Sequence, residues 1–328
     1  VGAWAEDIGL DSETACGFNM LCSYNLQSTF AALSFYNPDT TPWIIGAVEA
    51  VLVGYCLLGG GKRVIKATST LVPLMGVIYI SVAFILTIMH INLVPGVVGR
   101  IFAEAFDFTA IFGGFAGSCM MFGIKRGLYS NEAGVGSAPN AAAAADVSHP
   151  VKQGLVQMLS VFIDTLLICT ATAFMCLSSG IEPTKELAGA PYVQAALAAS
   201  MGDYAKLFIT VSMVLFAFTT LLGNLYYVDN AFAYVLKHVP GKTFTLCYRI
   251  LACVLIFIGA GSSMGTMWDL ADVTMGFMAI INLPVICILG GPALRALDDY
   301  TEQRDAGKNP EFKASKIGLT QKLDYWQD

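Results

Sequence analysis

Six long apolar stretches dominate this sequence and restrict what it can fold into. A helix needs about 20 apolar residues to cross the hydrocarbon part of a bilayer, and several stretches reach that length alone or with their flanks. Only 13% of the 328 residues are charged, against about 25% in soluble domains. The pattern predicts an all-α integral membrane protein with spans at residues 42–58, 70–91, 155–177, 207–228, 246–260 and 273–289.

Two more segments, residues 16–35 and 111–124, are apolar enough to be spans but carry more polar residues. They bring the predicted number of transmembrane helices to about eight. We therefore divide the chain into a polar, acidic lead-in (1–15), a transmembrane domain (16–294) and a charged tail (295–328). The chain begins with Val1 and no signal-peptide pattern follows, so we expect it to be a piece that lacks upstream sequence.

The basic residues predict the orientation of the spans. If the first span runs from inside to outside, fifteen of the eighteen Lys and Arg residues fall on the inner side or in the tail. Cytoplasmic loops of membrane proteins carry such an excess. The asymmetry predicts a multi-pass protein of the cell membrane with a cytoplasmic C-terminus, and only three basic residues on the outer side: Arg100, Lys185 and Lys206.

The reactive residue types do not form an enzyme-like pattern. The nine cysteines are scattered, mostly inside spans, and form no CxxC pair; such cysteines usually behave as small apolar residues. His90, His149 and His238 fall at span ends or in loops, where we expect interfacial positions and not metal ligands. We expect no enzyme activity, no cofactor and no nucleic-acid partner.

Residues 127–140 form a polar, glycine-rich segment between apolar stretches. Irregular backbone at membrane depth is tolerated only where protein or a water-filled cavity surrounds it. The segment is therefore a candidate solute or ion site. Ser130 or Asn131 can cap a helix that starts near Ala133 and runs through residues 141–145, and the amides of that helix would favour a carboxylate. Glu132 could balance an ion or pair with Arg126.

Other interpretations of this segment stay open at this point. The glycines could instead allow close helix packing, or the segment could be an ordinary cytoplasmic loop. A second glycine cluster, residues 113–117, could also interrupt a helix.

Other polar residues lie inside the spans. The hydroxyls of Thr219 and Thr220 can either supply oxygen ligands to sodium or bond back to the carbonyl groups of their own helix. Gln27 lies in the first predicted span, and Glu49 in the second, without a cationic neighbour on its own helix. Ionisable groups inside spans are functional candidates.

Several segments resemble the alanine/glycine:cation symporter family. The resemblance is most specific at residues 125–139 and continues at four further segments: 59–63, 71–75, 149–154 and 215–223. It implies sodium- or proton-driven uptake of alanine or glycine on a LeuT-type inverted-repeat helix bundle. The chain would then correspond to the third through tenth core helices, with Asn131 in the sixth, broken helix and Thr219 and Thr220 in the eighth, where the fold commonly holds sodium.

We therefore predict a sodium-coupled symporter of a small neutral amino acid, with Thr219 and Thr220 binding the cation. The alternatives are proton coupling, another solute, or a truncated fragment that does not transport. Asn224 stands where the family tends to have tryptophan, and Gln27 lies in a departure from the family's Gly-Asn-x-x-Gln pattern. The predicted substrate-binding residues are Gln27, Ser130, Asn131, Gly134 and Asn224.

Overall fold

A computed structural model describes residues 10–58, 61–105, 115–143, 145–182, 184, 187–238, 240–319 and 323. Among these residues, the regular elements are helices. Short 3-10 turns lie at Thr29–Ala32, Ile91–Leu93 and Ser315–Ile317. The longer helices are α1 (Leu10–Ser28), α2 (Thr41–Leu58), α3 (Gly61–Met89), α4 (Val94–Ala105), α5 (Phe115–Asn131), α6 (Ala138–Ala143), α7 (Pro150–Leu177), α8 (Ala190–Met201), α9 (Tyr204–Val235), α10 (Lys242–Ala260) and α11 (Met264–Asp305).

Six helices of the described chain are long and apolar enough to cross a membrane: α2, α3 from Val64 onward, α7, α9, α10 and α11. They cover the six stretches that the sequence singled out, except for residues 90 and 91, which follow the end of α3. The two more polar segments are helical over residues 16–32 and 115–124, in α1 with the 3-10 turn after it and in α5, but neither helix is among the six. The total of eight spans therefore stays a prediction.

The two largest apolar clusters hold the long helices together. One lies between α2, α9 and α10 and contains Val53, Leu221, Leu225 and Ile256, each fully buried. The other joins α3, α7, α8 and α9. Large apolar side chains on the outer faces of the helices, such as Val51 and Ile280, are mostly exposed. Exposed apolar surface of this extent fits a bilayer environment.

Small residues let α10 approach α1 and α2 closely. A Cβ atom added at Gly259 would lie 2.5 Å from the Cα atom of Met20, and one added at Gly46 would lie 2.6 Å from the Cβ atom of Ala260. Side chains cannot occupy such positions, so glycine is required at both crossings. Close packing at glycine, which the sequence offered as an interpretation of residues 127–140, thus also occurs outside that segment.

The helices extend beyond the predicted domain limits at both ends. α1 begins at Leu10, inside the predicted lead-in, and α11 continues without interruption to Asp305, eleven residues into the predicted tail. The chain after α11 then folds back: the Phe312 amide donates to the Ser148 carbonyl at 3.0 Å, and the Arg295 side chain donates to the Ile317 carbonyl at 2.9 Å. The first part of the tail is therefore packed structure.

This packing buries His149, which the sequence placed at the interface. His149 is 0% exposed and packs edge-on against the rings of Tyr300 and Phe312. Its Nδ1 atom accepts the Val151 amide at 3.2 Å and so caps α7, while its Nε2 atom lies 3.4 Å from the Asp299 carboxylate. His149 lies at the end of a span, as the sequence predicted, but the tail covers it, which the sequence did not predict.

Asp299 also accepts from the Lys316 ammonium and, at 2.8 Å, from the Gln303 amide. We call His149, Asp299, Phe312, Lys316 and Ile317 the tail clasp. Burial lowers the pKa of His149, and the hydrogen bond and charge of Asp299 act against that shift. The hydrogen bond to the same carboxylate raises the pKa of Lys316. The clasp connects the start of α7 to the end of α11.

Candidate functional site

The helix break lies at residues 132–137. α5 ends at Asn131 and α6 begins at Ala138. Between them the backbone has positive φ at Glu132 (54°), Gly134 (86°) and Gly136 (126°). Glycine adopts such angles without strain. Of the two glycine clusters, residues 127–140 therefore contain an observed break, while the start of the other cluster, residues 113 and 114, lies outside the described residues.

The helix after the break differs from the prediction. It starts at Ala138, five residues later than expected, and has only six residues. The Asn131 Oδ1 atom accepts the Ala133 amide at 2.9 Å, so this side chain closes a turn and does not cap a helix. The predicted start and length of this helix are therefore wrong, and binding of a carboxylate at its N-terminus stays untested.

The break packs against the middle of α11. The Asn282 side-chain amide donates to the Gly134 carbonyl at 3.0 Å, and Asn282 is 4% exposed. A Cβ atom at Gly136 would lie 3.3 Å from the Cβ atom of Asn282. Glu132 accepts the Ser137 hydroxyl at 2.6 Å, which holds the break closed on itself.

Arg126 does not pair with Glu132, as the sequence suggested it could. Its guanidinium donates to Asp272 at 2.9 Å and stacks 3.8 Å from the ring of Trp268. Asp272 therefore has a cationic partner on α5. Tyr129 lies between the rings of Phe18 and Trp268, at 5.1 and 5.2 Å. An aromatic group thus joins α1, α5 and α11 beside the break.

Two cavities meet at the break. The larger has a volume of about 900 Å³ and lies between the break, α7 and α11. The smaller, about 280 Å³, lies between α1, the end of α5 and α9. Ser130 and Glu132 line both. Pockets for drug-sized ligands occupy roughly 300–1,000 Å³, so the smaller cavity suits a solute of few atoms.

The structure brings together five of the seven predicted site residues. Ser130, Asn131 and Gly134 line the larger cavity, and Ser130, Thr220 and Asn224 line the smaller one. Asn224 also donates to the Asn19 side chain at 3.0 Å, across from α9 to α1. The break and the Thr-Thr segment of α9 are therefore neighbours, as a shared site requires.

Gln27 and Thr219 line neither cavity. Gln27 is 4% exposed and accepts the Tyr36 hydroxyl at 2.9 Å. Thr219 and Thr220 both donate to carbonyls of their own helix, at 2.9 Å to Leu215 and 2.8 Å to Phe216. Both hydroxyls therefore bond back to their own helix, which is one of the two alternatives that the sequence offered. Binding of sodium by these hydroxyls stays a prediction.

The sequence interpretation passed over Asp164. This residue lies in α7 within a π-helical turn, Ile163–Cys169, and lines the larger cavity. Its carboxylate accepts the Ser130 hydroxyl at 2.7 Å, and Cys169 lies 3.1 Å from that hydroxyl. π-Helical turns are frequent at functional sites. The available signal was an acidic residue inside an apolar span, which is a functional candidate on its own.

Comparison with known proteins decides the family. A profile described as "Sodium:alanine symporter family" matches residues 10–314. The chain belongs to the sodium:alanine symporter family. This confirms the resemblance that the break motif suggested.

Curated relatives agree with this membership. The chain is 42% identical to "Amino-acid carrier protein AlsT" of Bacillus subtilis, over 87% of the chain and 60% of that protein. It is 39% identical to "Probable sodium/glutamine symporter GlnT" of the same organism, over 92% of the chain and 63% of that protein. It is 37% identical to "Sodium/proton-dependent alanine carrier protein" of Bacillus sp. strain PS3, over 92% of the chain and 71% of that protein. The chain spans about three fifths of the length of the first two relatives.

Proposed function

We propose that the full-length protein is a secondary active symporter that imports a small neutral amino acid, alanine or glycine, together with sodium. The observation that carries the proposal is the interrupted helix at residues 132–137, where two cavities meet in a chain of this family. Unwound backbone in a membrane protein exposes amides and carbonyls that can bind a solute and a cation.

In this proposal the smaller cavity holds the amino acid. Ser130 of α5 and Asn224 of α9 line it with hydroxyl and amide groups, while Phe18 and Phe216 supply an apolar wall for a short side chain. Asn131, at the end of α5, and Gly134, in the break, line the larger cavity. Gln27 acts on the site only indirectly, since it lines neither cavity.

Thr219 and Thr220 are proposed to help bind sodium. Each hydroxyl oxygen now donates to a helix carbonyl and keeps lone pairs free for a cation. Sodium bound beside the amino acid would favour the state that binds solute, and coupling of this kind is typically about 1–3 kcal/mol.

The full-length protein is further proposed to have a LeuT-type inverted-repeat fold with a cytoplasmic C-terminus in the cell membrane. Support comes from the broken helix packed between long spans and from the excess of basic residues on one predicted side. Attachment of a membrane-impermeant label to a cysteine introduced at Lys308, in intact and in opened cells, tests the orientation.

Uptake by the reconstituted full-length protein tests the function. We expect an inward sodium gradient to drive alanine or glycine uptake, and Asn131→Ala to reduce uptake at least tenfold. Asn92→Ala is the matched control, because Asn92 is exposed in a turn away from the break. An uptake rate that does not depend on the sodium gradient would contradict sodium coupling. A rate that depends on a pH gradient instead would indicate proton coupling.

Glutamine is a second candidate solute for the same assay. The relative GlnT is named for glutamine, and Asn224 gives the smaller cavity an amide where the family resemblance leads us to expect tryptophan. If unlabelled glutamine inhibits the uptake of labelled alanine more strongly than glycine does, glutamine is the preferred substrate.

A further inference from the structure

Glu49 is a buried carboxyl group that the proposed site does not use. It lies in α2, is 4% exposed and accepts one hydrogen bond, from the Ser23 hydroxyl to its Oε2 atom at 2.6 Å. Its other oxygen, Oε1, is buried and has no hydrogen-bond partner among the described residues.

No described cation neutralises Glu49. From α1 it faces the Cys22 thiol, and α10 places the Cys253 thiol one turn further along α2, beside Gly54. Arg249, the guanidinium that α10 directs toward α2, donates instead to the Leu57 carbonyl at 2.7 Å and to Asp229 of α9 at 2.9 Å.

The other helices around α2 offer no described partner either. On α3, Lys66 is exposed, and on α9 the side chain that reaches α1 is the neutral amide of Asn224. An isolated carboxylate removed from water costs several kcal/mol. A carboxylic acid fits this environment better, because the hydroxyl of Ser23 can donate to its carbonyl oxygen and the acid proton can reside on Oε1.

We propose that Glu49 is a proton-binding site of the transporter, occupied in the conformation described here. In the proton step the carboxylic acid gives its proton to water and becomes a carboxylate, and no other bond changes. Release requires that α1 and α2 move so that water reaches Oε1.

The position of Ser23 connects this proton to the smaller cavity. Ser23 follows Cys22 and precedes Asn25 by two residues, and both of those residues line the cavity. A solute that displaces α1 therefore changes the Ser23–Glu49 hydrogen bond. By reciprocity, the proton on Glu49 then changes the affinity for solute. This coupling rests on the proposed function, whereas the presence of the proton does not.

Infrared difference spectroscopy of the full-length protein tests the proton itself. We expect a carbonyl band of a protonated carboxylic acid at neutral pH that is lost in Glu49→Gln and kept in Asp39→Asn, an exposed acid in the loop after α1. Ser23→Ala removes the hydrogen bond to the acid's carbonyl oxygen, so the band should remain in this variant and move to higher frequency. An unchanged spectrum in Glu49→Gln would overturn the proposal, whether or not the protein transports alanine.

Uptake at different pH values tests the coupling. We expect uptake by the wild type and by Asp39→Asn to vary with pH, and the ratio of rates at acidic and alkaline pH to approach one in Glu49→Gln. A Glu49→Gln profile that overlays the wild-type profile would overturn the coupling. If Glu49→Gln does not fold, Ser23→Ala decides the same question, since the midpoint of its pH profile should move from that of the wild type. If the wild type takes up neither alanine nor glycine, the proposed function fails, and the infrared result still stands.

Discussion

Asp299 and Glu49 are equally buried carboxyl groups with opposite surroundings. Asp299 is 6% exposed and accepts from Lys316, His149 and Gln303, while Glu49 is 4% exposed and accepts from Ser23 alone. Burial makes both groups expensive to ionise, but only Asp299 has cationic and neutral donors that compensate. Asp299 therefore stabilises the packing of the tail, whereas Glu49 can change its protonation state without breaking an ion pair.

The largest expected effect is at the centre of the tail clasp. His149→Ala should lower the free energy of unfolding of the full-length protein by about 3 kcal/mol, because it removes a helix cap and leaves a hole between two aromatic rings. Denaturant titration in detergent measures this. His238→Ala, at an exposed histidine, should change the value by less than about 0.5 kcal/mol. Equal values for the two variants would contradict the structural role of the clasp.

Asp299→Asn should cost about 2 kcal/mol, since a charge-assisted hydrogen bond contributes about 1.5–3 kcal/mol and the buried His149 donor loses its carboxylate partner. The neighbouring Asp298 is exposed and provides the matched substitution, Asp298→Asn. Unfolding of both variants in the same detergent gives the difference. If Asp298→Asn lowered the free energy of unfolding as much as Asp299→Asn, the loss would come from the change in net charge and not from the contacts of Asp299.

The pH dependence of stability gives the next smaller effect. Because burial lowers the pKa of His149 in the folded state, the unfolded chain binds a proton more readily. Stability is therefore full above the unfolded pKa of about 6.5 and falls as the pH drops from that value toward the lowered pKa. The slope should not exceed about 1.4 kcal/mol per pH unit.

The variant His149→Asn tests this assignment, because asparagine can still cap α7 but cannot take up a proton. Thermal unfolding between pH 8 and pH 5, both chosen as roughly flanking the histidine range, should show a weaker decline in this variant. A decline of unchanged size would assign the pH dependence to other groups.

The smallest expected effect is at Glu49. Glu49→Gln should change the free energy of unfolding by less than about 1 kcal/mol, because a neutral amide replaces a neutral acid of the same shape. The comparison with Asp299→Asn is direct, since both variants exchange one carboxyl oxygen for nitrogen. A loss as large as that at Asp299 would show that Glu49 is charged and has a partner.

The sequence was informative about the apolar spans and about the position of the helix break. Long apolar stretches have few structural alternatives, and the motif around Asn131 combines glycines with polar residues that interrupt a helix. The length of α6 was not predictable in the same way. The alanines at 141–145 favour a longer helix, whereas the chain just after them is held by the tail, where the Ser148 hydroxyl donates to the Pro310 carbonyl at 2.9 Å.

Contacts between distant residues escaped the sequence interpretation. Asp164 meets Ser130 only because α7 returns beside the end of α5. Likewise His149 becomes buried only when Phe312 and Lys316 fold back from the tail. The apolar pattern and the count of basic residues do not predict these contacts, because each describes one segment of the chain at a time.

Helix α11 contacts two distant parts of the molecule. It meets the break through Asn282 and the tail clasp through Asp299, seventeen residues or about 26 Å apart along the axis. Pro284 and Pro292 lie between these two contacts, and each removes a helix hydrogen bond. Bending of α11 at these prolines would therefore change the angle between the part of the helix that contacts the break and the part that contacts α7, with both contacts kept.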